Sequence, residues 1–345
     1  MIFDDHDVHD DWMTSAAWHA QMRAKPWWHE RIVGAFMSYW LYQHLGNVSP
    51  TQLRDDDLYA QVRRLDDAEA VLREFAARAD RSTAGHRWSY CRELGRTRLV
   101  VIDSRAGRDF GEGRREMLDA DEWRWLEEQA RGGVDHLLLA TSLPLVLPAA
   151  LDDLEAWNAA VCAGAWGCAT AWIGERLRRL LDLEHWAAFP SSARRLRTLI
   201  AEVAGGERGR APASVVILSG DVHYAYLARL QATGEPRWMS AVYQAVCSPL
   251  RNPLPRVLRL ATRLALTRFA QRLARRLASS VDAADHCGGW VIEEGPSFAN
   301  QLATLTLDGR RAGLRLERPA RRGSTALSTV FERELVGRRG DADEH

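Results

Sequence analysis

Five carboxylates and two imidazoles stand between Asp4 and Asp11 in the stretch Met1-Ile-Phe-Asp4-Asp5-His6-Asp7-Val-His9-Asp10-Asp11-Trp12. Grouped acids beside a short apolar run repel one another and lose hydration when buried, so a bound cation would make the grouping favourable. A second stretch, Ser214-Val-Val-Ile-Leu-Ser219-Gly220-Asp221-Val222-His223, ends an apolar strand in Gly-Asp-x-His. Residues two apart on a strand face the same side, so Asp221 and His223 can point into one site. Carboxylate and imidazole are ligands for zinc, manganese or iron. Two strand ends that supply both fit a two-metal centre, which would clamp an in-line displacement at phosphorus. Not all the early acids can be ligands, and the remainder must be supporting acceptors or loop caps.

The first stretch resembles the F-D-D-H-E/D-x-x-D-x-W signature of the PhoD-like (alkaline phosphatase D) branch of the metallophosphoesterases, and Leu218 to His223 resembles that branch's second signature. Ile102-Asp103-Ser-Arg105, Thr141-Ser142-Leu-Pro144 and Gly295-Pro-x-Phe298-Ala-Asn300-Gln301 follow in matching order. The resemblance implies a metal-dependent phosphatase, a hydrolase of phosphomonoesters or phosphodiesters, on an α/β, metallophosphoesterase-type four-layer α/β/β/α sandwich. It further implies Asp5, Asp221 and His223 as metal ligands, His6 as the acid that protonates the leaving group, and Asp7 as the group that orients His6. Two divalent or trivalent ions (Fe, Zn, Mn or Ca) would be the cofactors and a small phosphate ester the substrate. The family's Asp-x-His and Gly-Asp motifs normally precede the F-D-D-H stretch. The expectation is therefore a chain lacking the sandwich's N-terminal strands, with residues 1–320 as the C-terminal portion of the domain and 321–345 as a charged, flexible tail. The competing reading is an incomplete, non-catalytic remnant that acts as a scaffold or binding protein.

The elements that must position these residues are legible in outline. Met1 to Phe3 reads as the end of a buried strand, and Thr14 to Gly46 as helical with a break at Pro26. Arg87 to Glu93 and Thr97 to Asp103 flank Gly95 as a hairpin. Helix 119–132 followed by the apolar run 136–144 suggests a crossover unit with parallel pairing. Residues 152–183 and 191–203 read as helices, 238–247 as a strand, and 288–294, 298–307 and 313–317 as closing antiparallel strands.

Arg105 has the guanidinium fork that suits phosphate oxygens, and it equally suits an ion pair that caps a strand. Glu184-His185-Trp186 suits either a substrate mouth or a solvated loop with a packed Trp. His286-Cys287 alone does not make a metal site. Residues 251–276 form a basic amphipathic helical segment, with arginines mostly on one side and Leu and Ala on the other. It could lie on phospholipid headgroups or present a solvated face.

Equal acidic and basic totals of 46 each leave no electrostatic footprint for nucleic acid. The five cysteines are scattered without C-x-x-C spacing, which indicates neither a zinc ribbon nor a disulfide scaffold. No apolar run has the length of a transmembrane helix, and no signal-peptide pattern stands in the chain as given.

Overall fold

The computed structural model describes residues 1–9, 12–232, 237–248, 254–283, 289–321 and 325–337. Asp10, Asp11, His286 and Cys287 lie outside the described residues. The chain divides into two compact units, Met1–Cys91 with Val101–Leu126, and Arg92–Val100 with Glu127–His345. A single domain over 1–320 was expected.

The first unit is helical. Helix α1 (Ala16–Arg23) starts where Ser15 Oγ accepts the Trp18 N–H, a side-chain cap that satisfies one unpaired amide of the first turn. Helix α2 (Trp28–Tyr39) runs through a π turn, Trp40–His44, into α3 (Leu45–Asn47). The short helices α4 (Pro50–Arg54) and α5 (Asp57–Val62) and the longer α6 (Glu69–Arg81) follow. Their shared core is aromatic. Phe3, fully buried, meets Trp12 and Tyr39 edge-on at 5.0 and 4.6 Å and stacks on Phe36 at 5.2 Å. These are favoured ring geometries, and they anchor the acidic stretch that follows. Met1–Asp4 is not a strand, contrary to expectation. Among the described residues it pairs with no sheet, and the ring of Phe3 holds it in place.

Strands β1 (Tyr90–Leu94) and β2 (Thr97–Ile102) turn at Gly95, whose φ of +63° is a glycine-tolerant conformation. Helix α7 (Ala120–Gln129) comes next. In the second unit follow β3 (His136–Thr141), α8 (Ala149–Cys162), α9 (Cys168–Leu180), α10 (Pro190–Gly205), β4 (Ser214–Ser219), β5 (Ala225–Gln231) and β6 (Ala241–Val246). Helices α11 (Arg256–Ala265) and α12 (Arg268–Ser279) precede β7 (Gly289–Ser297), β8 (Leu302–Asp308), β9 (Arg311–Pro319) and β10 (Leu327–Val336).

The fold is mixed α/β. A seven-stranded sheet has the order β1-β2-β3-β4-β6-β5-β7, and a three-stranded sheet the order β10-β9-β8. Pairs β3/β4 and β4/β6 are parallel, whereas β5 runs antiparallel to β6 and β7. The sheets share an apolar core in which Leu138, Val216, Leu227 and Tyr243 meet Leu314 and Leu335. Three strands depart from the sequence expectation. β5 was not anticipated, β7 joins the large sheet, and β10 lies in the segment read as a flexible tail. β10 pairs antiparallel with β9 from Leu327↔Pro319 to Val336↔Ala312, with register shifts between Thr329 and Phe331 and between Glu334 and Val336. Its charged residues conceal the alternation that this pairing uses.

Candidate functional site

Two groups of chemistry-bearing residues emerge, one in each unit. In the first unit, the chain leaving Phe3 turns through a short 3₁₀ helix, Asp5–Asp7. Asp5 is buried, and its Oδ1 accepts from His6 Nδ1 and from the His6 backbone N–H, both at 2.9 Å. The His6 side chain is 55% exposed. Asp7 Oδ2 accepts the Asp4 N–H at 3.0 Å, closing the turn that carries His6. The hydrogen bond at the His6 ring comes from Asp5, not from the expected Asp7. Asp7 also lines a cleft of about 340 Å³ with Arg31, Ser38, Tyr39, Tyr42 and Gln43.

Arg105 closes the group from below. It is fully buried, with Nε 3.3 Å from Asp4 Oδ1 and Nη2 3.4 Å from Asp5 Oδ1. The reason lies in its own loop. Asp103 Oδ1 accepts the Arg105 and Ala106 N–H groups at 3.0 and 2.9 Å, turning the chain after β2 so that the guanidinium faces the acids. Burial pushes the Asp103 carboxyl up to about 6 despite those hydrogen bonds. Donor atoms of Asp4, Asp5 and His6 lie within 4.8 Å of one another. Two carboxylates and an imidazole are the donor chemistry of zinc, manganese or iron, so these residues fit a divalent ion.

In the second unit, Asp221 and His223 follow β4 at the carboxyl end of the parallel strands, the edge where α/β sheets bind ligands. Their backbone is strained. Val222 N–H bonds to Gly220 O at 2.9 Å around an Asp221 φ of +70°, a γ-turn of the rare positive-φ kind, and His223 follows at +58°. Non-glycine residues hold such conformations at a cost, and they cluster at functional sites. Gly220 N–H donates to Ser142 O at 3.1 Å, and Cys247 N–H to Ser219 O at 3.0 Å, tying the strand ends together.

His185 and Glu155 complete this group; the sequence reading offered His185 only as part of a substrate mouth or a solvated loop and did not raise Glu155. His185 Nδ1 is 2.6 Å from Glu155 Oε1, and its Nε2 lies 3.7 Å from Asp221 Oδ2. Burial alone would hold the imidazole neutral. The charge and hydrogen bond of Glu155, then the charges of Asp221 and Asp182, outweigh it and bring His185 up to about 9. Among the described residues, Glu155 Oε2 and the buried Tyr224 hydroxyl have no hydrogen-bond partner. His185 thus sits largely out of solvent between two acidic side chains and is not part of a solvated loop, while Trp186 beside it is fully packed. The only sequence signal was a histidine beside a tryptophan before a helix; Glu155 lies thirty residues earlier.

A frame holds the loop after β3 in place. Gln244, fully buried on β6, accepts the Leu145 and Val146 N–H groups at 2.8 and 3.0 Å and donates to Val146 O at 2.7 Å. Tyr226 O–H donates to the same carbonyl at 2.6 Å. Arg197 pairs with the buried Asp152 at 3.2 Å, and Asp152 Oδ1 accepts the Leu147 N–H at 3.2 Å.

No family model matches the sequence, and no curated protein does. Among solved structures, the structure of PhoD matches with a TM-score of 0.50 and 11% sequence identity, over 97% of this chain and 54% of that one. The chain thus spans about half the length of the structure it matches. At this identity the likeness concerns the fold alone: the chain has a PhoD-like mixed α/β fold.

Proposed function

We propose that the chain hydrolyses phosphate esters with divalent metal ions, on a four-layer α/β/β/α arrangement of the metallophosphoesterase type. The observation that carries this reading is the Asp4–Asp5–His6 donor cluster, set over a buried arginine with the His6 side chain more than half exposed. We assign Asp5 in the first unit, and Asp221 and His223 in the second, as metal ligands. When bound, the metal supplies Lewis-acid stabilisation of the phosphoryl oxygens and an activated water.

The remaining work falls to the chain's own groups. His6 donates a proton to the leaving oxygen while Asp5 fixes the other side of its ring. Asp7 sets the turn that aims His6. Arg105 holds Asp4 and Asp5 in place from beneath and, being fully buried, acts as a positioning residue.

The test is hydrolysis of p-nitrophenyl phosphate and bis-p-nitrophenyl phosphate with added Mn, Zn, Fe or Ca. His6→Ala should lower the rate on the order of a hundredfold or more, and Asp221→Ala should lower metal affinity by calorimetry. Wild type with metal proving no faster than His6→Ala would sink the reading.

A second reading has its own support. Each acid group already contains a basic side chain, Arg105 in one unit and His185 in the other. A non-catalytic scaffold would have that character and would show neither turnover nor metal uptake.

A further inference from the structure

Helices α11 and α12 turn their small residues inward. Thr262, Ala265, Ala274 and Ala278 are buried, and Ala265 and Ala274 share an apolar cluster with Ala150 of α8. The large apolar side chains point the other way. Val257, Leu260, Leu264, Phe269 and Leu273 are each more than half exposed, from 51% at Leu273 to 77% at Val257 and Phe269. A solvated covering helix has the opposite arrangement, because the side chains that gain most from leaving water go inside.

The charges follow the same axis. On α11, Val257, Leu260 and Leu264 recur at helical spacing, and Arg256, Arg259 and Arg263 repeat that spacing one position earlier, so an arginine row borders the apolar stripe. On α12, Arg268 and Arg272 border Phe269 and Leu273 in the same way. Between Pro255 and Val281 the sequence holds seven arginines and no carboxylate. Within the protein, Arg275 reaches Asp153 at 3.4 Å, and Arg259 and Arg263 lie over the Phe298 ring. Arg256, Arg268, Arg272 and Arg276 have no acidic partner among the described residues.

We propose that α11 and α12 dock this chain on a bilayer containing anionic phospholipid. The apolar stripe enters between the headgroups, and the arginines along its border pair with lipid phosphates, their stems lying on the apolar surface. The chemistry selects this occupant over a second copy of the chain, since face-to-face pairing would set one arginine row against another. A carboxylate-free border fits a plane of phosphates. Helix α9, which like α12 packs on α8, also exposes Trp172, Ile173 and Leu180, and Arg176 covers the Trp172 ring at 4.1 Å. Tryptophan beside arginine suits the headgroup depth. The docking is independent of the catalytic reading above.

The experiment is co-sedimentation of the full chain with phosphatidylcholine vesicles and with vesicles that also contain phosphatidylglycerol. Binding is expected to the second only, and to weaken with added salt. Arg268→Gln with Arg272→Gln should lower affinity about fivefold per arginine. Leu264→Ser with Phe269→Ser should abolish binding. Both variants change exposed side chains, so each should keep the wild-type circular dichroism and thermal midpoint, and Leu264→Ser alone gives a milder readout of the same stripe. No binding to anionic vesicles, equal binding to neutral ones, or unchanged binding by the serine variant overturns the proposal. So does a wild-type dimer in sedimentation velocity that the serine variant converts to monomer.

Discussion

Acidification should act on the first unit through two opposed sets of buried groups, and single substitutions should separate them. His44 and His86 stand edge-on to Trp88 at 5.1 and 5.2 Å. Burial above all pushes both imidazoles down to about 4, and among the described residues His44 Nδ1 has no hydrogen-bond partner. Below pH 6.5 the unfolded chain takes up these protons and the folded unit does not, so each histidine removes stability as pH falls from 6.5 towards 4. The slope is about 1.4 kcal/mol per pH unit for each group, less for the partly exposed His86. Glu122 works the other way. Burial pushes its carboxyl up to about 7, with the Ser89 hydrogen bond and then the charge of Arg87 at 3.1 Å compensating only in part. Between 7 and 4.5 the folded unit binds the extra proton, so stability rises as pH falls, by about 1.4 kcal/mol per unit. Asp103, raised to about 6, adds to that side. His19, which burial also lowers, adds to the histidine side, so in the wild type the two sides largely oppose each other and stability should fall only modestly across this window. Urea unfolding followed by tryptophan fluorescence checks it, with His44→Leu gaining stability on acidification and Glu122→Gln losing it. If both variants tilt the same way, or neither departs from wild type, the burial argument fails.

Two further outcomes follow from the buried polar frames. Arg105→Met leaves Asp4 and Asp5 without their buried cation and should cost about 3–5 kcal/mol in urea unfolding, whatever its effect on turnover. Gln244→Leu strands the Leu145 and Val146 N–H groups and should cost about 1–3 kcal/mol for each; hydrogen exchange at those two amides should rise with it.

Much of the frame was legible because its signals are local. The hairpin about Gly95, the apolar runs of β3 and β4 and the breaks around Gly164 and Gly167 each sit within a few residues of the feature they specify. The departures share a different cause. Phe3 is too short a signal to tell a strand from a single anchored ring, and its neighbours Trp12, Phe36 and Tyr39 come from later in the chain. His185 takes its character from Glu155 and Asp221, which no spacing rule connects to it. On α11 and α12 the helical period was plain. Which face turns inward was not, because that depends on Ala265 and Ala274 fitting against α8, where a leucine would be too large.

The five residues between β4 and β5 do more than carry Asp221 and His223. In the strand order β4-β6-β5 the chain leaves β4 and re-enters the sheet two places away, so this link passes over the end of β6. Two strand spacings are about 10 Å, within the roughly 16–18 Å that five extended residues could reach, and the γ-turn together with the Gly220 N–H bond to Ser142 O fixes how that length is used. Crossing and chemistry thus occupy the same peptide. An inserted or deleted residue here would be passed on to β5 as a register slip, exchanging the faces of Tyr226 and Leu227 and with them the hydroxyl on Val146 and the contact with the second sheet. Length variation, tolerated in most surface loops, should be absent at this one.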